Sequence, residues 1–421
     1  MRLLVFTYAP AGLGHLRVTG ALVYSRPKDF PYVLLGSSDQ FISKIHRFTS
    51  INPIARSIFE ASQYGLIEDV FTPFLVWMYR RSSYQIYKRL IEIIEEYPDL
   101  TDVTVVATHF GLAHQIGEIK ERVKKETGVT INLVVQVTDD TSQHIWVVKG
   151  ADLTMVPSVL AKNRLLDYAK LKGIVFNCEV SPYPLSPLLT EAVPEREGSR
   201  EHTFNKNEGD QINVIVPISG AAVGLGYLSN YLMELDKLSK RFHFLVVAKR
   251  SSATRKFLSD IGRLRWVELI TGRNDNEVVR IYEKTYQENL IHIEVTKPSE
   301  QSFKALIPPA LVGGSLLLFT NPVGRQEVEN LNFLKRHSLL PNLADSGEIS
   351  LVQKKFIPRG LTLPSDPVMA ARFTIWCLDS GLFEKMASSK YKFAVESYMT
   401  SEIGYNGAWL FWEKLKMAKL I

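Results

Sequence analysis

Two cysteines in 421 residues, Cys178 and Cys377, are too few for a disulfide framework and stand in no metal-ligand spacing. A disulfide-stapled secreted scaffold and a zinc module are thereby excluded, and a cytoplasmic protein is expected. No apolar stretch approaches the roughly 18 residues of a membrane span. The opening MRLLVFTYAPAGLGH reaches Pro and Gly too soon for a secretory signal and reads as a first strand. A basic tail and a lysine run are also missing. Residues 1–185 carry 20 Lys and Arg against 18 Asp and Glu, and the remainder 30 against 26, so the net charge of +6 is spread thinly. That argues against nucleic acid and leaves small or diffuse anionic partners, such as nucleotides and acidic lipid surfaces. With 46% hydrophobic and 22% charged residues the composition is that of an ordinary globular protein, and the length implies two domains.

What is present is a strand, a glycine turn and a helix, written twice. Leu3–Thr7 is a short apolar run followed by Gly12-Leu-Gly14-His15 and a helical segment to about Tyr24. Such a turn brings backbone N–H groups close to a phosphate or a reacting oxygen. His15, at the helix start, is either a base at the mouth of a cleft or a surface histidine. Tyr32–Leu35, Val103–Ala107, Ile131–Val137 and Leu153–Pro157 continue as apolar, β-branched-rich strands alternating with helices, a parallel-sheet pattern. Thr138-Asp139-Asp140 closes one of them. Adjacent carboxylates on an extended chain point apart and have no third ligand nearby, so Asp139 suits a general base or an acceptor of a substrate hydroxyl better than a metal ligand.

Val70–Leu90 carries Arg80, Arg81, Lys88 and Arg89, no acid, and a crowd of aromatics including Phe71 and Trp77. It is either a helix for the headgroup region of an anionic membrane or a core helix with a solvated basic edge. Residues 191–211 are charged and poor in apolar groups, which reads as a linker. Order resumes at Ile212–Ile218, then Ser219-Gly220-Ala-Ala-Val-Gly224-Leu-Gly226 and a helix with leucines at helical spacing. Further strands are expected at Phe244–Ala248, Trp266–Ile270, Leu290–Val295 and Ser315–Thr320. After the last, a helix begins near Gln326 and sets Gln326, Glu327 and Asn330 on one face at the carboxyl end of a strand, the edge at which open α/β sheets bind ligands.

Together these stretches resemble a GT-B glycosyltransferase of the group containing monogalactosyldiacylglycerol synthase and the processive diacylglycerol glucosyltransferases, a family 28-like pattern. Gly12-Leu-Gly14-His15 resembles the family's first glycine loop. Val137-Thr-Asp139 with His144 matches its T-D…H element, with Trp146 one position early. Ser219–Gly226 resembles the second glycine loop. Gly324-Arg-Gln326-Glu327-Val-Glu-Asn330 resembles G-Q-E-x-x-N with Arg325 inserted.

The resemblance implies two Rossmann-like domains facing each other across a cleft, residues 1–190 on the acceptor side and 212–395 binding the nucleotide sugar. A C-terminal helical segment, 396–421, would be able to cross back to the first domain. It implies an inverting transfer of a hexose from a nucleotide sugar, UDP-linked in the family, to a lipid hydroxyl such as that of diacylglycerol. No metal and no other cofactor is expected. By resemblance Ser219, Gly220, Gly224 and Gly226 take the diphosphate, Glu327 the ribose, and Gln326 and Asn330 the sugar. His15 or Asp139 is the base, while Gly12, Gly14, His144 and Trp146 lie on the acceptor side. Phe71, Trp77, Arg80 and Arg81 would meet the inner membrane face. A UDP-sugar epimerase of the same fold and a non-catalytic sugar-nucleotide binder are the alternatives.

Overall fold

Apolar runs of four to eight residues, each ending at a turn, pair in this chain as parallel strands. The computed structural model describes residues 1–8, 13–36, 65–196, 198–205, 210–220, 222–341, 358–388 and 401–421. They divide into two compact units, one of Met1–Ser186 with Asn406–Ile421, the other of Pro187–Tyr405.

In the first unit β1 (Arg2–Tyr8), β2 (Tyr32–Gly36), β3 (Asp102–Ala107), β4 (Thr130–Gln136), β5 (Leu153–Val156) and β6 (Cys178–Val180) form one sheet. Its order is β2-β1-β3-β4-β5-β6, all parallel. The connecting helices are α1 (Leu13–Ser25), α2 (Gly65–Arg81), α3 (Tyr84–Glu95), α4 (Phe110–Thr127) and α5 (Val159–Leu171). The single helix expected over Val70–Leu90 is two, α2 and α3. Ser82 interrupts it by turning its hydroxyl back onto the Tyr79 carbonyl at 2.9 Å.

The second unit repeats the plan with β7 (Ile212–Pro217), β8 (Phe242–Lys249), β9 (Val267–Gly272), β10 (Ile293–Thr296), β11 (Leu316–Phe319) and β12 (Gly360–Thr362) in the order β12-β11-β10-β7-β8-β9. These strands too are all parallel. Its helices are α6 (Ser199–Phe204), α7 (Leu225–Leu238), α8 (Arg255–Ile261), α9 (Asp275–Glu288), α10 (Arg325–Arg336), α11 (Pro367–Asp379) and α12 (Leu382–Ala387).

The described part of the expected linker is instead built into this second unit. Arg200 of α6 is buried, and its guanidinium donates to the carbonyls of Ile291 at 2.7 Å, Leu311 at 3.0 Å and Val312 at 2.7 Å, and to that of Pro309. A charged residue reads as solvated in a sequence, but a planar fork of five donors can be buried against a loop rich in carbonyls. Arg359 grips the same loop from its other end, donating to Gly314 O at 2.7 Å and to Met386 O at 2.7 Å, and burial lowers its pKa to about 9.

The C-terminal helix, Gly407–Met417, packs on α1 of the first unit. Trp412 is buried there, its ring 5.9 Å from that of Phe6, and its indole N–H reaches Leu22 O at 3.1 Å and Ser25 Oγ at 3.2 Å. Gly407 lies so close to the chain that a Cβ would sit 2.3 Å from the carbonyl oxygens of Pro182 and Tyr183. Trp412→Ala should therefore destabilise the first unit by about 3–5 kcal/mol in denaturant titrations. Trp409→Ala, on the exposed side of the same helix, should stay within about 0.5 kcal/mol.

Candidate functional site

Parallel pairing sets the carboxyl ends of β1, β3 and β4 side by side, and three of the polar groups singled out in the sequence meet there. His15 stands in the first turn of α1 after Gly14; Gly12 lies outside the described residues. The His15 Nδ1 is 2.6 Å from the carbonyl oxygen of Thr108, just past β3. A carbonyl only accepts, so this nitrogen carries the proton and the lone pair of the neutral ring is directed to Nε2. Thr19 fixes the backbone of the same turn, donating to His15 O at 2.7 Å, and its hydroxyl meets that of Thr108 at 2.9 Å.

Asp139 follows β4 beside this histidine. The Thr138 hydroxyl lies 3.4 Å from His15 Nδ1 and 3.4 Å from Asp139 Oδ2, and Tyr183 pins the Thr138 carbonyl at 3.0 Å. His15 Nδ1–H thus donates its orienting hydrogen bond to the Thr108 carbonyl, and the Thr138 hydroxyl stands 3.4 Å from both the ring and the Asp139 carboxylate. Asp140 is buried and accepts from Ser158, the N-cap of α5, a structural use. His109, not singled out in the sequence, caps α4 and sets its ring 5.0 Å from that of His15.

His144 and Trp146 sit in a 3-10 turn after β4. Trp146 is completely buried, edge-on to Phe110 at 5.4 Å, so the expected acceptor-side contact is a core residue. Its ring fills the space between the turn and α4, which no polar contact could fill as well. His144 stacks on Tyr168 at 3.8 Å, with Nδ1 3.1 Å from Asp69 Oδ1 and its backbone N–H 2.8 Å from Glu68 Oε1. It lines a groove of about 600 Å³ together with Trp77, Arg80, Arg81, Lys149, Tyr168 and Lys172.

The basic aromatic segment is divided by face. On α2, Ile67, Val70, Phe74 and Trp77 are each more than half exposed, at the three- and four-residue spacing of one stripe, whereas Glu68, Thr72 and Tyr79 are buried. Phe71 is half-buried against Phe74. Arg81 lies over the Trp77 ring at 4.8 Å, and Arg80 stands 3.6 Å from Glu118.

In the second unit the loop between β7 and α7 lines a cleft of about 220 Å³ with Ser219, Gly224, Tyr227, Lys297, Asn321 and Val323. Gly224 holds φ +81° at the N-cap of α7. Gly226 follows in the first turn, where a Cβ would meet nothing, so the fold itself does not require its glycine. The Ser219 hydroxyl oxygen is buried without a hydrogen-bond partner. A buried hydroxyl left unmatched beside a helix N-terminus is a place where a ligand oxygen would be satisfied. Gly220 is exposed on the same loop.

Gly324, at φ +93° and ψ 170°, turns the chain into α10 in a conformation that glycine alone adopts readily. The inserted Arg325 pairs with Glu329 at 3.0 Å, which keeps Gln326 and Glu327 in the first turn. Glu327 accepts from the Val323 N–H at 2.5 Å and lies 3.5 Å from Lys297 Nζ. Burial raises its carboxyl pKa, against the opposing pull of Lys297 and the Val323 N–H. Asn330 is fully buried and donates to Pro298 O at 3.2 Å, so this contact holds the turn after β10.

No family model matches the chain, and no curated protein matches it. Solved structures do. S. aureus MnaA, solved with UDP, superposes with a TM-score of 0.53 at 11% identity over 100% of this chain and 98% of that one. Arabidopsis thaliana UGT89C1, complexed with UDP-L-rhamnose, superposes with a TM-score of 0.51 at 11% identity over 100% and 98%. A UDP-GlcNAc 2-epimerase from Neisseria meningitidis follows at 0.49 and 10% identity over 99% and 100%. At such identities the likeness is one of fold, and the chain has the two-domain α/β GT-B fold.

His114 supplies a pH test of the turn that carries His144. It is buried in α4 with Nε2 2.9 Å from Ile145 O, and burial lowers its pKa to about 4. Because the folded value lies below the ordinary 6.5, the unfolded chain takes up the proton first. This stability is complete above pH 6.5 and is lost as pH falls towards 4, by up to about 3 kcal/mol. Urea titrations at pH 7 and 4.5 should show a weaker acid dependence for His114→Gln than for the wild type.

Proposed function

We propose that the chain is an inverting hexosyltransferase that takes its sugar from a nucleotide donor, UDP-linked, and delivers it to a lipid hydroxyl such as that of diacylglycerol. The observation that carries the donor half is the cleft of the second unit, where the unpartnered Ser219 hydroxyl, the N-terminus of α7, Lys297 and the Val323 turn converge. The fold shared with UDP-bound MnaA and with UGT89C1 holding UDP-L-rhamnose supports the same donor class.

In this reading His15 Nε2 accepts the proton of the acceptor hydroxyl while that oxygen attacks the anomeric carbon and the bond to the diphosphate oxygen breaks. The Thr108 carbonyl keeps the ring in the tautomer the step needs. Asp139 is the alternative base. The departing negative charge is met by the backbone N–H groups at the start of α7, a partial charge of about half a unit. Glu327 takes the ribose hydroxyls and Gln326 the sugar. No metal enters the step.

The lipid half rests on the exposed α2 stripe and its cations. No described helix is long and apolar enough to cross a membrane. A stripe of Val70, Phe74 and Trp77 flanked by Arg80 and Arg81 suits the headgroup zone of an anionic bilayer, and the groove beside it gives an acceptor a path. An epimerase of this fold would have no use for that stripe.

His15→Ala should lower transfer 10²-fold or more, with nucleotide affinity little changed; full activity in this variant would remove His15 from the mechanism. Incubation with UDP-sugar alone decides between the enzyme classes, since an epimer formed without acceptor would sink the transferase. Phe74→Asp with Trp77→Asp should weaken binding to phosphatidylglycerol vesicles at least ~10-fold, read by flotation.

A further inference from the structure

Lys297 is the charged residue among those lining the donor cleft. It lies directly after β10, and β10 is hydrogen-bonded beside β7, so the two strands deliver Lys297 and Ser219 to the same edge. Its side chain is mostly buried, and its ammonium stands 3.5 Å from Glu327 Oε1, an ion pair longer than a hydrogen bond. Glu327 has a second hold on the fold through the Val323 N–H. The pair is thus arranged so that Lys297 can turn to a ligand without leaving Glu327 wholly unmatched.

Resting on the donor reading above, we infer that Lys297 is the cation that neutralises the nucleotide's diphosphate, exchanging its ion pair with Glu327 for the phosphate oxygens as the ribose hydroxyls occupy Glu327. The charge balance calls for such a group. A nucleoside diphosphate carries about two to three negative charges, whereas the helix N-terminus offers about half a positive one. The Ser219 hydroxyl adds a donor but no charge. Lys297 adds one full positive charge against the remainder, and its flexible stem lets it follow the leaving group once the bond to the sugar breaks. Before the donor arrives, Glu327 keeps the ammonium matched in a half-dry cleft, so the site does not hold an isolated buried charge.

Affinities for uridine, UMP and UDP, measured by calorimetry in EDTA on the folded full chain, test this. Wild type should prefer UDP to uridine strongly. Lys297→Met should lower UDP affinity at least 10-fold while uridine changes less than about 3-fold, and Lys297→Arg should retain most of the preference. In Lys297→Met with Glu327→Gln, which removes the pair as a whole, the UDP-to-uridine ratio should stay low. A ratio restored by the second substitution would reduce Lys297 to a partner of Glu327. Equal loss for uridine and UDP, or none for UDP, would likewise overturn the assignment. Wild type that binds none of the three, nor ADP or GDP, would overturn the donor reading itself, and the Lys297 role with it.

Discussion

Parallel pairing is the constraint on which both halves of this protein depend. A parallel strand ends beside the ends of its neighbours, so the residue that follows each strand is delivered to one edge, and each helix that returns begins there. His15, Thr108 and Thr138 are neighbours only because β1, β3 and β4 stop together. Ser219, Lys297 and Val323 are neighbours because β7, β10 and β11 do. In both units the candidate groups stand on loops, but their placement is decided by the sheet.

Beneath the second edge lies a charged interior. Lys304 is buried against Glu294 of β10, with Tyr282 and Tyr286 donating to the same carboxylate and Ser315 bonded to Tyr286. Loss of one member of such a pair costs about 3–5 kcal/mol, because the other is left uncompensated. Together with Arg200 and Arg359 this network fixes the course of residues 299–315, which pack under the Lys297 turn. Apolar packing alone would leave the carbonyls of the Pro308–Gly314 loop unmatched. Gly314 shows how tight that loop is, since a Cβ there would meet Pro308 O at 2.1 Å.

Ten strands were legible in the sequence because each is an apolar or β-branched run closed by a turn. β6 and β12 were not, being three residues long and set among prolines or beyond the last clear repeat. The α6 segment was misread because charge and glycine outweigh two buried anchors, Arg200 and Phe204, in any composition measure. Trp146 was misplaced for a different reason: a motif resemblance put it on the acceptor side, and only packing shows it to be core. Among the groups at the site, His15, Asp139, Ser219 and Glu327 were legible from glycine turns and strand ends. Thr108, His109 and Lys297 stand just past strands too, but their part depends on which strands are neighbours in space, and order within a sheet is not written locally. Ala222 is a smaller case. It adopts φ +52°, a left-handed conformation that favours glycine, a backbone cost the turn absorbs with the Ala222 N–H bonded to Ser219 O.

The C-terminal helix has a consequence for how the molecule is made. On a ribosome the first domain ordinarily folds while the next is still being translated. Here residues 1–186 emerge with the seat for Trp412 vacant, including the Phe6 edge and the Leu22 and Ser25 groups of α1, and the segment that fills it is translated only after an entire second unit. The contacts that complete the first unit around Phe6, Leu22 and Ser25 thus become available only after the second unit has been translated.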